Sequence, residues 1–81
     1  MAEPVEDEGL LVGWVEKGRS AQIRAYLKHY KGRRILDLRL WFPPDDGSAL
    51  RPSGKGFAID ASKARELADL LEEVADRTVT R

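Results

Sequence analysis

The stretch AQIRAYLKHYKGRRILDLRLWF, residues 21 to 42, leaves few folds open. Side chains alternate in character over ten residues, Lys31-Gly32 interrupts them, and the alternation resumes for ten more. Period two is the spacing of a strand, and a two-residue loop ending in Gly closes a hairpin. Such a loop pairs residues whose numbers sum to 63. Ala21–Phe42, Ile23–Leu40, Ala25–Leu38 and Leu27–Leu36 then share one face. Gln22–Trp41, Arg24–Arg39, Tyr26–Asp37, Lys28–Ile35 and Tyr30–Arg33 share the other. A slip of one residue would mix the two sets, so the register is strongly specified. The aliphatic face is core, to be covered by a helix or by a second subunit.

The other face is harder to explain as mere surface. Arg24 faces Arg39, and like charges set directly opposite each other destabilise an isolated sheet. Asp37, diagonal to Arg24, offsets part of this, and an external polyanion would relieve the same repulsion. Tyr26, Tyr30 and Trp41 stand between the cations with ring faces offered to solvent. Cations along a groove with aromatic platforms suit single-stranded nucleic acid, whose phosphates take Lys and Arg while splayed bases stack. The bland alternative is that aromatics and bases are ordinary strand formers and solubilisers. That holds for any one of them; the complete alternating set favours binding. Duplex DNA fits less well, since no recognition helix is visible and the C-terminal helix carries more acid than base.

The formal charge of zero conceals this arrangement. Residues 1–9 hold four acids and no base, residues 10–55 hold ten bases against four acids, and residues 56–81 hold four bases against six acids. A basic body between acidic ends provides a local field for an anionic partner.

The 81 residues make one small domain, expected over 10–78 behind a disordered acidic arm at 1–9. LLVGWVEK (10–17) is a strand with a bulge expected at Gly13, and GRS (18–20) is a turn. PPDDGSALRPSG (43–54) is a turn-rich loop, and KGFAID (55–60) is a short fourth strand. Asp60 suits a helix N-cap. Beyond it Ala64, Leu67, Ala68, Leu71, Val74 and Ala75 form one stripe at helical spacing, and Arg65–Asp69 and Glu73–Arg77 are i, i+4 pairs. Trp14, like the helix leucines, reads as core or dimer contact. The expected fold is α+β: a four-stranded antiparallel sheet followed by a C-terminal helix.

A chain this short buries roughly 60% of its unfolded surface, and such domains need disulfides, metals or oligomerisation. There is no cysteine, so disulfides and zinc–thiolate sites are excluded, and the single His29 cannot build a metal site alone. A homodimer is expected. The N-terminus lacks the features of a signal peptide and no apolar run is long enough to span a membrane, so an intracellular protein without membrane contact is expected, cytoplasmic or nucleoid-bound if bacterial and nuclear if eukaryotic. RPSGKG (51–56) lacks the spacing and the hydroxyl residue of a phosphate-binding loop; its glycines let the backbone approach a strand. DDGS (45–48) is too short for a calcium loop. His29 falls at the rim of the aliphatic face with no Ser or Cys beside it, and no acid–base or nucleophile pair emerges. Neither an enzyme nor a cofactor is expected.

YKGRRILDLRLWFPPDDGSALRPSGKGFAID resembles the single-stranded-DNA-binding C-terminal domain of transcriptional coactivator positive cofactor four. The matching features are the aromatic-Lys-Gly-basic turn (Tyr30 to Arg33), the Leu36 to Arg39 run, Trp41-Phe42, the Asp-Gly turn, Arg51-Pro52 and Lys55-Gly56. The similarity covers about residues 10 to 76. It implies a β-β-β-β-α homodimer, a transcriptional regulator of the Whirly-like class, taking melted DNA on each basic sheet. By position it makes Lys28, Tyr30, Lys31, Arg33, Arg39, Phe42, Arg51 and Lys55 binding residues; the hairpin itself adds Arg24, Tyr26 and Trp41. Arg34 is an extra strand residue and the 43–54 loop is longer than the family pattern. The family's stacking aromatic aligns with Phe42, whereas the alternation turns Trp41 outward; a strand-end bulge would decide between them. The serine-rich acidic region of the eukaryotic coactivator is absent.

The expected function is single-stranded DNA binding with little sequence preference, in transcription or the handling of melted DNA, with the transcription machinery as a further partner. RNA binding is the nearest alternative. A module docking an acidic protein through the basic face is the alternative of another kind.

Overall fold

In a computed structural model, residues 9 to 79 are described. Four strands, β1 (Leu10–Lys17), β2 (Ala21–Tyr30), β3 (Arg33–Phe42) and β4 (Arg51–Asp60), are followed by a 3₁₀ turn (Ala61–Lys63) and helix α1 (Ala64–Val79). The sheet is an antiparallel meander in the order β1-β2-β3-β4. The expected acidic arm falls, apart from Gly9, outside the described residues.

The central hairpin has the register that a Lys31-Gly32 loop dictates, from Gln22 opposite Trp41 to Tyr30 opposite Arg33. Lys31 and Gly32 both have positive φ, 52° and 78°, as a two-residue turn matching the strand twist requires. The β1–β2 register shifts between Leu11 and Gly13, the bulge expected there.

The fourth strand begins at Arg51, four residues earlier than its sequence indicates. Pro52 is admissible there because β4 is an edge strand. Between Arg39–Gly56 and Trp41–Pro52, two steps along β3 meet four along β4, so the extra residues bulge out of β4. Ser53 closes the bulge: its hydroxyl donates to the Leu40 carbonyl (2.9 Å) and accepts from the Lys55 amide (3.0 Å).

Asp60 terminates β4, and its carboxylate accepts the Ser62 amide at 2.9 Å, so the expected cap opens the 3₁₀ turn that leads into α1. Of the two expected helix pairs, Glu73–Arg77 forms (2.8 Å) and Arg65–Asp69 does not. Both would be exposed, and surface pairs gain too little to fix two long side chains.

The apolar face is assembled as expected but not closed. Leu38 and Leu36 oppose Phe57 and Ile59 of β4, yet no apolar side chain among the described residues is buried. The helix does not cover the sheet: Leu70, Leu71 and Val74 are 61%, 53% and 56% exposed. Leu71 lines a hollow together with Val15, Ile23, Ala25 and Leu38. The radius of gyration, 14.6 Å, exceeds the ~12 Å of a compact chain of this length. No helix among the described residues is long and apolar enough to cross a membrane.

Candidate nucleic-acid interface

The face opposite the apolar one carries Arg24, Tyr26, Lys28 and Tyr30 from β2, and Arg33, Asp37, Arg39 and Trp41 from β3. Opposite Asp37 and Arg39 on β4 stand Ala58 and Gly56, whose small side chains leave that flank low. Gly56 is required: at φ +155° its backbone lies so close to β3 that a Cβ would sit 2.5 Å from the Leu38 carbonyl oxygen.

Asp37 is the floor of this face. At 4% exposure it is the one buried residue among those described. Arg39 grips it from two nitrogens, Nη2 to Oδ1 at 2.7 Å and Nε to Oδ2 at 3.2 Å, while Lys28 stands 3.8 Å from Oδ2. The third nitrogen, Nη1, donates to the Ser53 carbonyl at 3.2 Å. Hydrogen bonding to Asp37 raises the Arg39 pKa against partial desolvation.

The opposed arginines are therefore reconciled within the protein, and not by the diagonal Asp37–Arg24 contact expected. Arg39 is neutralised by Asp37, whereas Arg24 lies on Trp41 with Cζ 4.5 Å from the ring centroid. Arg24 is also held by Gln22 (2.9 Å) and by the Tyr26 hydroxyl (3.2 Å). Tyr26 stacks on Trp41 at 5.4 Å between centroids. Arg24, Trp41 and Tyr26 thus form a closed stack, half-buried throughout, and their ring faces are not the open platforms the alternation implied. A guanidinium over an indole gains cation–π attraction, which is why it settles there when the nearest acid is taken.

Of the hairpin's aromatics on this face Tyr30 is left open, 63% exposed, with Lys31 Nζ 5.3 Å from its ring centroid; Trp14 of β1, opposite Arg24, is 52% exposed and donates to Glu16. Beside Tyr30 a groove of about 540 Å³ is lined by Lys28, Tyr30, Arg33, Ala58 and Asp60, with Ile35 and Asp37 also in its lining. Arg33 pairs with Asp60 (2.6 Å), which fixes its guanidinium at the groove edge. The Ser62 amide, followed by Arg33, lowers the Asp60 pKa to about 2.

The expected site residues accordingly divide. Lys28, Tyr30 and Arg33 line the groove, with Lys31 at its end and Arg39 on its floor network. Arg24, Tyr26 and Trp41 make the closed stack. Phe42, Arg51 and Lys55 do not join this face. The strand-end bulge lies in β4, so β3 keeps its alternation, Trp41 stays on the charged face, and Phe42 turns away with Arg51 opposite it. Lys55 lies with Lys17, Leu40 and Phe57 at the margin of the apolar face. Sequence reasoning missed Ser53, which holds Arg39, and the Asp60–Arg33 pair. The Ser-Gly-Lys-Gly run was the available signal for the bulge. No cluster of three metal-ligating side chains occurs among the described residues.

An antiparallel four-stranded sheet with one cationic, partly aromatic face and a trailing helix defines a class of α+β binding domain. The family model for Transcriptional Coactivator p15 (PC4) matches residues 17–70, and the chain belongs to that family, whose domain is a DNA-binding coactivator fold. The fold is similar to the crystal structure of a PC4 homolog from Burkholderia pseudomallei K96243, with a TM-score of 0.68 and 27% identity over 93% of this chain and 96% of that one. None of the curated proteins compared with it matches.

Proposed function

We propose that the protein is a homodimeric single-stranded-DNA-binding regulator of transcription, acting by binding and without turnover. The observation that carries this reading is the groove itself. Lys31 stands against the largely exposed ring of Tyr30, and Lys28 and Arg33, each held by an acid, line the groove beside it, so phosphates and an unstacked base find partners within one site. A duplex offers no unstacked base to Tyr30. The dimer is supported by the apolar face, which lacks cover in a single chain and which a second copy would close.

The test is fluorescence anisotropy with a labelled oligonucleotide of about 20 nucleotides. Single-stranded DNA, its duplex and the matching RNA are compared at two salt concentrations. The expected result is several-fold preference for single-stranded DNA, with affinity falling steeply as salt rises. Equal or tighter duplex binding would show that Tyr30 is not a stacking platform. Preference for RNA would transfer the reading to that ligand, and no binding to any of the three would leave docking of an acidic protein.

A further inference from the structure

We infer that Asp37, an acid in the middle of a surface meant for an anion, is a positioning residue that sharpens nucleic-acid binding. The inference rests on the single-stranded-DNA reading above.

A carboxylate beneath a phosphate-binding face lowers the local potential, so a face selected for positive charge alone would have no acid there. Asp37 is nonetheless the most buried residue described, and it contacts cations from two strands. A guanidinium has five N–H donors in one rigid fork. Asp37 takes two and the Ser53 carbonyl takes a third, so five less three leaves two without a protein partner on a guanidinium whose side chain is 23% exposed. Those two are held from both sides, by a β3 neighbour and by the β4 bulge, and form a preset fork for one phosphate. Lys28 is held by the same carboxylate, 3.8 Å from the Oδ2 that Arg39 Nε also bonds. Without Asp37, Arg39 would be a flexible point charge, and ordering its side chain would oppose binding.

The sign of one substitution separates this from a purely electrostatic face. Asp37→Asn preserves shape and adds one unit of positive charge to the surface. Charge alone predicts tighter binding. Positioning predicts that affinity for the single strand falls several-fold, and that the slope of log affinity against log salt shrinks by about 0.7 for the lost phosphate contact. Arg39→Lys keeps the charge but removes the fork, and is expected to lose a similar factor. The double variant is expected to bind no worse than either single one, since both break the same unit.

Equal or tighter binding by Asp37→Asn at every salt concentration would overturn the inference. If Asp37→Asn does not fold, Arg39→Lys decides: wild-type affinity in that variant would equally overturn it. Failure of the wild-type protein to bind single-stranded DNA would instead overturn the functional reading on which the inference stands.

Discussion

Trp41 has a guanidinium on its ring while most of Tyr30 lies open to solvent, although both stand on one face of one hairpin. Tyr30→Ala should therefore weaken single-stranded-DNA binding by about 1–3 kcal/mol, the worth of one stacked base, with little change in melting temperature. Trp41→Ala should do the reverse, lowering the melting temperature while costing less affinity. Anisotropy and thermal melts on the same two variants check the pair. Asp60 gives a pH signature. Its folded pKa, about 2, lies below the usual value of about 3.9. Its contribution to stability is therefore complete above pH ~4 and disappears as pH falls towards 2. Asp60→Ala should melt below wild type at pH 7 and converge with it near pH 2. The alternation placed Trp41, Arg24 and Asp37 on one face correctly. It could not say which cation Asp37 would take, because register fixes which side chains are neighbours and rotamers decide which of them pair.

The hairpin β2–β3 was legible from Gln22–Trp41 to Tyr30–Arg33 because period and turn agreed independently; the outermost expected pair, Ala21–Phe42, is not in the ladder. β4 was legible only from Lys55 onward. Arg51-Pro52-Ser53-Gly54 has the composition of a loop, and what makes it strand is pairing with Trp41 and Phe42 on the neighbouring strand, which its own composition does not announce. Gly56 and Gly54 look alike in sequence and differ in space. A Cβ on Gly56 would meet the Leu38 oxygen and, at 2.6 Å, the Arg39 Cα, whereas one on Gly54 would meet nothing within 4 Å. Gly56→Ala should destabilise the protein by about 1–3 kcal/mol, because its backbone conformation disfavours any side chain and β3 cannot withdraw. Gly54→Ala should be neutral or stabilise by up to about 1 kcal/mol through the unfolded chain. Urea melts of both variants test the contrast.

No apolar side chain is buried among the described residues, which leaves the apolar face of the sheet and the helical stripe without cover. The helical stripe was readable in the sequence as an apolar face, but periodicity states only that a face seeks cover, never what provides it. Leu71→Glu and Val74→Glu together should abolish self-association, seen by sedimentation velocity, and with it the cooperative thermal transition followed by circular dichroism. Arg77→Ala, on the same helix and paired with Glu73 at its surface, should leave both nearly unchanged.

The meander has a kinetic consequence. Each strand pairs only with its neighbour along the chain, across connections of three, two and eight residues. Local contacts of this kind form in microseconds to milliseconds, starting from the shortest loop at Lys31-Gly32. In the proposed dimer the docking of a second copy is bimolecular and slows in proportion as the protein is diluted. A newly made chain would thus draw its sheet almost at once and then wait. For such a chain the time to maturity is an encounter time.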